Sequence, residues 1–324
     1  MEKYLLVRTD RVGDLVLTTP AINALRKSRP AAHITVLASP YAAEILRGHP
    51  SVDGIILDKP LPLLARELRA ENFDVCVHFF VTFRTALAAR LARIPRRIGP
   101  ASKIWSVFFS ERARQDRSSA PGHEADFNLG LLSPLGADAR GAKTSLFITP
   151  EERAEADRYL ARKCGLAGNG ELFVLHPGSS GSAPAWPPEH YAGLADKIAA
   201  SMPEAKVLVT GSARELPLLR RVRDAMSGKA ALMDEPVSLR LMMAVIARAR
   251  LVATNSTGPL HIAVALGTPT VSFYPRLKGC SAGRWGPYGG GPHTVLEPEA
   301  GDGRMETITV ENAFRAVRER AAGV

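Results

Sequence analysis

The sequence has few cysteines and no long apolar run. Its 324 residues include only three cysteines, Cys76, Cys164 and Cys280, which lie far apart. They predict neither a disulfide framework nor a cysteine-ligated metal site, and a reducing compartment fits best. Before Arg8 the longest apolar run is Tyr4–Val7, and no stretch reaches the ~18 residues of a membrane span. We therefore expect a cytoplasmic protein with no signal-peptide core.

Several motifs with a known chemistry are also missing. There is no Asp-x-Asp pair to hold a divalent ion on a nucleotide sugar, no zinc-ligand spacing and no G-x-S-x-G elbow. The Walker loop and the GxGxxG fingerprint are absent as well. The sequence predicts no metal and no cofactor.

What is present is an ordinary globular composition, with 46% hydrophobic and 23% charged residues. This composition excludes a largely disordered chain, and the length suggests two domains. Apolar strand-like runs alternate with helical stretches, which is typical of parallel α/β folds. The predicted strands are Tyr4–Arg8, His33–Ala38, Gly54–Asp58, Phe73–Phe79, Leu172–His176, Lys206–Thr210, Ala230–Met233, Leu251–Thr254 and Thr270–Phe273.

We predict two doubly wound α/β domains, residues 1–150 and 165–305, joined by the charged, glycine-containing stretch from Thr149 to Gly170. A final helix from Val310 to Arg320 has no strand after it. We expect this last segment, 306–324, to pack back on the N-terminal domain. Ligands of such folds bind at the carboxyl ends of the strands, so residues that follow strands are the functional candidates.

Positive charge is concentrated in one stretch. The formal net charge is +10, and Arg84–Arg117 holds nine basic residues against Glu111 and Asp116. Such a stretch attracts a polyanion, an anionic membrane or a phosphorylated substrate, or it is a solvated helix face. Nucleic acid is disfavoured because no aromatic residues interleave the basic ones.

The first motif is Arg8–Asp14, which follows the first strand and opens a helix. Gly13 permits a tight turn, and Asp14 lies in the first helical turn, where the dipole favours a carboxylate. An isolated aspartate there is usually an ordinary helix-start acid. Between Arg8 and Arg11, however, Asp14 is expected to stay ionised near neutral pH and to accept a proton.

Two further loops follow strands in the second half. His176–Ser182 is rich in glycine and serine, so its backbone N–H groups can face an anion. Asn255–His261 opens a helix that Ser256 or Thr257 can cap, with Pro259 in the first turn, which makes a second anion site. Alone, the first loop is an ordinary turn, and a lone histidine such as His261 is more often structural.

In order and spacing, these segments resemble glycosyltransferase family 9, the ADP-heptose:lipopolysaccharide heptosyltransferases. The resemblance covers essentially the whole chain. It rests on Arg8–Leu15, Thr18–Ala21, Arg96–Gly99, His176–Gly178, Trp186–Glu189 and Ser256–His261. It implies a GT-B fold, with two Rossmann-like domains facing a cleft and a C-terminal helix crossing back. It also implies an inverting, metal-independent transfer, with the acceptor on the first domain and the nucleotide sugar on the second.

The resemblance also assigns roles to individual residues. The catalytic aspartate falls on Asp14 and a first-strand lysine on Arg8. On the donor side, it places the phosphate-contacting hydroxyls on Ser179 and Ser180, the ribose-binding acid on Glu215, the nucleobase position near Val237, and the last motif's glycine and histidine on Gly258 and His261. The two loops themselves add Gly181, Ser182, Ser256 and Thr257 to the donor-side candidates. Arg8, Arg11, Arg84 and Arg97 are the acceptor-side candidates. For Arg97 a structural role stays open as well, because Arg97–Gly99 ends a short strand. Two positions depart from the family pattern: Pro184 replaces a lysine that contacts the diphosphate, and Ser256 replaces an aspartate that contacts the sugar. Arg214, Arg276, Lys278 and Arg284 are candidates to replace the lysine.

The resulting interpretation is a heptosyltransferase of the lipopolysaccharide inner core. Its expected partners are ADP-heptose, a phosphorylated glycolipid acceptor and, peripherally, the anionic inner-membrane surface, but not nucleic acid. Two alternatives stay open: a related transferase with another nucleotide sugar or glycan acceptor, and a non-catalytic sugar-nucleotide-binding relative. Retention of the Arg8–Asp14 motif argues against the second alternative.

Overall fold

The computed structural model describes residues 1–102, 104–115, 117, 122–168, 170–179, 181, 183–228, 230–299 and 303–322. The chain divides into two compact units, Met1–Phe147 and Ile148–Val324. Thr149 begins a helix with a capping box in which its hydroxyl accepts from the Glu152 N–H. The predicted linking stretch therefore contains a helix, and that helix belongs to the second unit.

The first unit is built on a parallel six-stranded sheet. Its strands are β1 Lys3–Arg8, β2 His33–Ala38, β3 Gly54–Leu57, β4 Val75–His78, β5 Arg96–Pro100 and β6 Glu111–Ala113. Its helices are α1 Val12–Val16, α2 Thr19–Ser28, α3 Pro40–Ala43, α4 Leu61–Glu71, α5 Phe83–Leu91 and α6 Glu124–Gly130. The strand order is β3-β2-β1-β4-β5-β6.

The second unit repeats this plan. Its strands are β7 Leu172–His176, β8 Lys206–Val209, β9 Ala231–Leu232, β10 Leu251–Asn255, β11 Thr270–Phe273 and β12 His293–Leu296. Its helices are α7 Pro150–Cys164, α8 Pro188–Ser201, α9 Leu216–Asp224, α10 Leu239–Arg248, α11 Gly258–Ala265, α12 Ala282–Trp285 and α13 Val310–Ala322. The strand order is β12-β11-β10-β7-β8-β9, again parallel throughout.

In both sheets the strand order changes direction at the centre: successive strands are added on one side of the first strand and then on the other. This switch point decides where ligands can bind. In the first sheet β1 pairs with both β2 and β4, with Val7 opposite Leu37 and His78. In the second sheet β7 lies between β10 and β8. The connections therefore leave each central pair in opposite directions, which opens a crevice at the carboxyl ends of the strands. The predicted doubly wound α/β fold class is confirmed.

The packing of the two cores explains why the central strands are continuous apolar runs in the sequence. Leu5 and Val7 of β1 are fully buried with Cys76, and Phe173 and Leu175 of β7 are buried in the second unit. Strands covered by helices on both faces need apolar side chains on both sides. Helix α13 joins the second core through Ala313, Phe314, Ala316 and Val317 and packs on α8 and on β10–β12.

The expectation that this last segment packs back on the N-terminal domain stays a prediction. Its apolar face is used within its own unit, because α8 and the neighbouring strands supply the surface it needs. Two strands, β6 and β12, were outside the predicted set, and β5 was predicted only as a short strand that ends in Arg97–Gly99. Arginine and glutamate occupy much of β5 and β6, and β12 is half-buried at a sheet edge, so none of them carries a long apolar run. Among the described residues, no helix has both the length and the apolarity needed to cross a membrane.

Candidate functional site

The first candidate site lies at the crevice of the first sheet. Strand β1 ends at Arg8, and after three intervening residues α1 begins at Val12, with Asp14 in its first turn. Strand β4 ends beside it, and the Phe79 and Phe80 N–H groups donate to the Val7 carbonyl. The motif predicted from the sequence thus sits where the strand connections diverge.

Arg8 is the centre of this site. It is 3% exposed, and its guanidinium bonds Asp10 through Nε at 2.8 Å and Asp14 through Nη2 at 2.5 Å. Nη1 donates to the Phe79 carbonyl and the Asn128 amide oxygen, each at 3.3 Å, and lies 3.6 Å from Glu124. Burial lowers the pKa of Arg8, but the three carboxylates raise it above its usual value. Arg8 therefore remains a fixed positive charge that orients Asp14.

Asp14 is better suited to accept a proton than its flanking arginines suggest. Burial raises its pKa; Arg8 and Arg11 oppose that rise, and the nearby Glu124 charge adds to it, so that the pKa ends above the ordinary value for aspartate. The expectation of a carboxylate ionised simply by two arginines is therefore incomplete. A raised pKa brings a general base closer to the pH at which it works.

Two polar residues of this site were missed from the sequence, Glu124 and Asn128. Both are buried on α6, one helical turn apart, so they face the same way. The Asn128 amide donates to the Leu17 carbonyl and the Thr18 hydroxyl, and Glu124 pairs with Arg117 as well as Arg8. Two polar residues at this spacing on the buried side of a short helix are the signal that could have revealed them.

The basic stretch is only partly available to a ligand. Arg84 pairs with Asp58, Arg96 forms a double contact with Glu111, and Arg117 pairs with Glu124. Arg97 donates to the backbone carbonyls of 94, 95 and 108, so it fixes local structure. Its predicted acceptor role stays a prediction.

The second candidate site lies at the crevice of the second sheet and begins with the loop after β7. A Cβ atom at Gly178 would overlap the Glu215 carboxylate and come within 2.8 Å of His176 Nε2. Glu215 itself accepts from the N–H and hydroxyl of Ser212 at 2.8 Å. Burial lowers the pKa of His176, against the raising effect of Glu215, so its ring is neutral at pH 7. The overlap at Gly178 means that a glycine is required where the loop after β7 approaches the loop after β8.

The other side of this crevice is formed by the loop between β10 and α11. Asn255 is buried and ties the two loops together: its amide donates to the Pro177 carbonyl at 2.8 Å, and its oxygen accepts from the Trp186 N–H at 2.9 Å. The Thr257 hydroxyl contacts Thr254 and the Asn255 carbonyl instead of capping α11. The N-terminus of α11 therefore retains the donor capacity that favours an anion.

The remaining predicted residues of the second half mostly border the same edge of the sheet. Ser179 and Gly181 follow β7, Val237 precedes α10, and Gly258 begins α11. Ser256 interacts with the buried Tyr274, and His261 is 5% exposed within α11. The structure thus brings these residues to the carboxyl ends of β7, β9 and β10. Ser180 and Ser182 lie outside the described residues.

Four cations could replace the lysine that is absent at position 184. Arg276 donates to the Pro298 carbonyl and lies 3.5 Å from Glu297, whereas Arg284 lies over the Trp285 ring. Lys278 and Arg214 are exposed and have no ion pair with another described residue. Lys278 follows β11, which pairs with β10, and Arg214 directly precedes Glu215, so these two are the unengaged candidates on the described part of this sheet edge.

Comparison with known proteins defines the class of this molecule. The family model of glycosyltransferase family 9 (heptosyltransferase) matches residues 63–301. The chain belongs to glycosyltransferase family 9, and it is a heptosyltransferase-like glycosyltransferase.

Individual relatives cover nearly the same length. A Haemophilus influenzae protein, provisionally named a glycosyltransferase, is 29% identical over 335 residues, spanning 98% of this chain and 96% of its own. Lipopolysaccharide heptosyltransferase 3 of Escherichia coli is 25% identical over 288 residues, spanning 81% of this chain and 80% of its own. The family 9 glycosyl transferase structure from Veillonella parvula superposes with a TM-score of 0.89 at 24% identity, covering 100% of this chain and 98% of that one.

Proposed function

We propose that this protein transfers a heptose from ADP-heptose to an inner-core acceptor of lipopolysaccharide, with inversion and without a metal ion. One observation carries the proposal: a partly exposed Asp14 carboxylate, held 2.5 Å from the buried Arg8 guanidinium at the crevice of the first sheet. A transferase that removes the proton of an acceptor hydroxyl needs a base, and Asp14 is a carboxylate placed to serve as one.

In the proposed reaction, Asp14 acts as the base and ADP is the leaving group. Asp14 accepts the proton of an acceptor hydroxyl as its oxygen attacks the anomeric carbon from the face opposite the leaving group. The bond from that carbon to the diphosphate oxygen breaks, and its electron pair leaves with ADP. Attack from the opposite face inverts the anomeric configuration, and Asp14 ends protonated.

The donor is proposed to bind the second unit. The backbone N–H groups of Gly178, Ser179 and Gly181 and of the α11 N-terminus would neutralise charge that develops on the departing diphosphate. Glu215, at the end of the loop after β8, would bind the ribose, Val237 would contact the base, and Ser256 and His261 would face the sugar. Lys278 would supply the charge that Pro184 lacks.

The acceptor is proposed to bind the first unit, beside Arg8, Arg11 and the arginine-rich stretch that includes Arg84 and Arg97. A phosphorylated, lipid-linked acceptor would bring this unit to the cytoplasmic face of an anionic inner membrane. Two relatives support these substrates: the E. coli chain above is named a lipopolysaccharide heptosyltransferase, and another E. coli heptosyltransferase was solved with ADP.

A second candidate function is transfer from a different nucleotide sugar. Pro184 and Ser256 favour it, because they occupy the two positions at which the family pattern has groups that contact the diphosphate and the sugar. The same two departures raise the option of a relative that binds sugar nucleotides without catalysis, but the assembled Arg8–Asp14 pair opposes it.

Thermal unfolding with a panel of nucleotides and nucleotide sugars separates these candidates. A ligand at 100 times its Kd stabilises the folded state by about 2.7 kcal/mol, which is readily measured. We expect ADP and ADP-heptose to raise the Tm more than their UDP, GDP and CDP counterparts. A larger shift with another nucleotide sugar would replace ADP-heptose as donor, and no shift with any of them would contradict the proposal.

A further inference from the structure

The first unit carries an exposed apolar surface that the transfer reaction does not use. It consists of Phe83, the first residue of α5, and of Ile104, Trp105 and Val107 in the 3-10 turn Ile104–Phe108. Their exposed fractions are 45%, 75%, 36% and 64%. Large apolar side chains that cluster in water mark an interaction site. We call these four residues the apolar tip.

Local geometry fixes the tip in place. The Thr82 and Thr85 side chains form a capping box that sets Phe83 as the start of α5. The Phe83 ring lies 4.9 Å from that of Trp105 and 6.0 Å from that of Phe108. In a 3-10 turn, side chains three residues apart eclipse, so Ile104 and Val107 project in the same direction. The tip is therefore one continuous surface.

The tip lies at the functional edge of its sheet. Helix α5 follows the carboxyl end of β4, and the 3-10 turn follows the carboxyl end of the neighbouring β5. Arg8 and Asp14 follow the carboxyl end of β1, which pairs with β4 on its other side. Parallel strands bring these ends to one edge. Whatever contacts the tip is therefore held at the same edge as Asp14.

Positive charge borders the tip. Arg112 and Arg114 are exposed at the end of the edge strand β6, where the Ala113 carbonyl accepts from the Ala101 N–H shortly before the turn. Neither arginine has an ion pair with any residue that the structure describes, and Glu111 is already occupied by Arg96. Apolar and tryptophan side chains beside unpaired arginines match the interface of an anionic bilayer, where rings and apolar groups enter the headgroup region and cations meet phosphate.

We propose that the apolar tip, with Arg112 and Arg114, docks the protein on an anionic lipid bilayer. Ile104 and Val107 enter the headgroup boundary, Trp105 lies at that boundary, and the two arginines contact lipid phosphates. The consequence for transfer rests on the proposed function: docking would present a lipid-linked acceptor at the edge that carries Asp14. Docking itself does not depend on the identity of the donor or acceptor.

Vesicle binding by the full-length protein tests this proposal. Vesicles of phosphatidylcholine alone are compared with vesicles that also contain phosphatidylglycerol, and bound protein is measured by sedimentation. We expect binding to the anionic vesicles that weakens steeply with added salt, because exposed charges are screened beyond ~8 Å at physiological ionic strength. Lipid brominated in its acyl chains should quench fluorescence in the parent but not in Trp105→Phe.

Paired variants separate the contribution of the apolar side chains to vesicle binding from that of the two arginines. Ile104→Ser with Val107→Ser should weaken vesicle binding at least about tenfold, because two apolar side chains no longer leave water. The control Leu91→Ser removes a residue that is also half-exposed, from the opposite end of α5, and should bind like the parent. Arg112→Glu with Arg114→Glu should also weaken binding at least about tenfold. Arg153→Glu with Arg158→Glu makes the same charge change on α7 and should not.

Three results would overturn the proposal. They are no binding of the parent to anionic vesicles, parental binding by a folded Ile104→Ser, Val107→Ser variant, and concentration-dependent self-association that this variant abolishes, which would assign the tip to a second copy of the chain. Activity on a delipidated acceptor should be unchanged in the serine variant. If vesicles bind as expected but no heptose is transferred, the proposed function fails and the docking surface stands.

Discussion

At the scale of single residues, Arg8 decides how Asp14 behaves. Its guanidinium is buried and contacts Asp10, Asp14 and Asn128, with Glu124 close by. Three carboxylates around one buried cation exceed its charge, and burial raises the pKa of Asp10 to about 6. Arg117 compensates by pairing with Glu124. Proton affinity at Asp14 is thus set by a cluster and not by one ion pair.

Removing the charge of Glu124 should change the pH dependence of transfer. A base must be ionised, so activity is lost as the pH falls through the pKa of Asp14, which is raised by burial and by Glu124 against the opposing effect of Arg8 and Arg11. In Glu124→Gln the Coulombic contribution disappears, and the acid limb of kcat/KM should move to lower pH. The rate above that limb should stay within about one order of magnitude, since every group that touches substrate is kept.

A second variant guards against a purely structural effect. Glu124→Asp keeps the charge and should return the limb toward the parental pH, with folding of both variants checked by their Tm. An acid limb that stays in place in folded Glu124→Gln, or moves to higher pH, would mean that Glu124 does not influence Asp14.

The local part of this site could be predicted from sequence, and the distant part could not. Arg8, Arg11 and Asp14 lie within seven consecutive positions after an apolar strand, so their proximity follows from the chain itself. Glu124 reaches them only through the tertiary fold. Arg97 is an intermediate case: its place at the end of a short strand suggested a structural role, but only the fold shows that its guanidinium donates to the backbone carbonyls of 95 and 108.

At the scale of elements, the second site depends on two loops that approach closely. A Cβ atom on Gly178, after β7, would overlap the Glu215 carboxylate of the loop after β8, and the Asn255 amide of β10 donates to the preceding carbonyl, that of Pro177. Glu215 also caps its own 3-10 turn through Ser212. A side chain at Gly178 must therefore displace the proposed ribose ligand.

Gly178→Ala should weaken ADP binding, because its methyl group would push Glu215 out of the crevice. We expect a loss of roughly tenfold, the size of one hydrogen bond to a charged group. Isothermal titration measures it. Gly283→Ala is the control, since Gly283 lies in α12 of the same unit and its Cβ position has only the Ser281 hydroxyl near it, 4.0 Å away. Unchanged ADP affinity in Gly178→Ala would remove Glu215 and this loop from the donor site.

Most central strands could be located from sequence because both of their faces are buried. His33–Ala38, Leu172–His176 and Thr270–Phe273 have the predicted ends. Edge strands do not need apolar side chains on both faces. Strand β6 carries Glu111 and Arg112 on a surface that water reaches, so its sequence is more typical of a charged loop. Helix α13 was identified correctly as a helix, but its packing on α8 and β10–β12 could not be predicted, because an amphipathic face does not specify which apolar surface covers it.

At the scale of the whole molecule, the same strand order occurs twice. Each unit places its candidate residues where the central strands diverge, Arg8–Asp14 in the first and Gly178 with Asn255 in the second. No repeat is visible in the sequence, because strand order is a property of connections and not of side chains. Two such crevices suit a reaction with two substrates, one bound by each unit.

The most direct measurement of the central claim is heptose transfer from ADP-heptose to an inner-core acceptor by the parent, Asp14→Asn and Asp138→Asn. Asp138 is a surface carboxylate of the first unit, paired with Lys27 and Arg140, so its variant controls for a generic loss of charge. All reactions contain excess chelator. We predict that the parent and Asp138→Asn transfer heptose, whereas Asp14→Asn loses about 10²–10⁴-fold in kcat and binds ADP as before. Parental turnover by Asp14→Asn, or transfer that stops with chelator and returns with Mg²⁺ or Mn²⁺, would contradict the account.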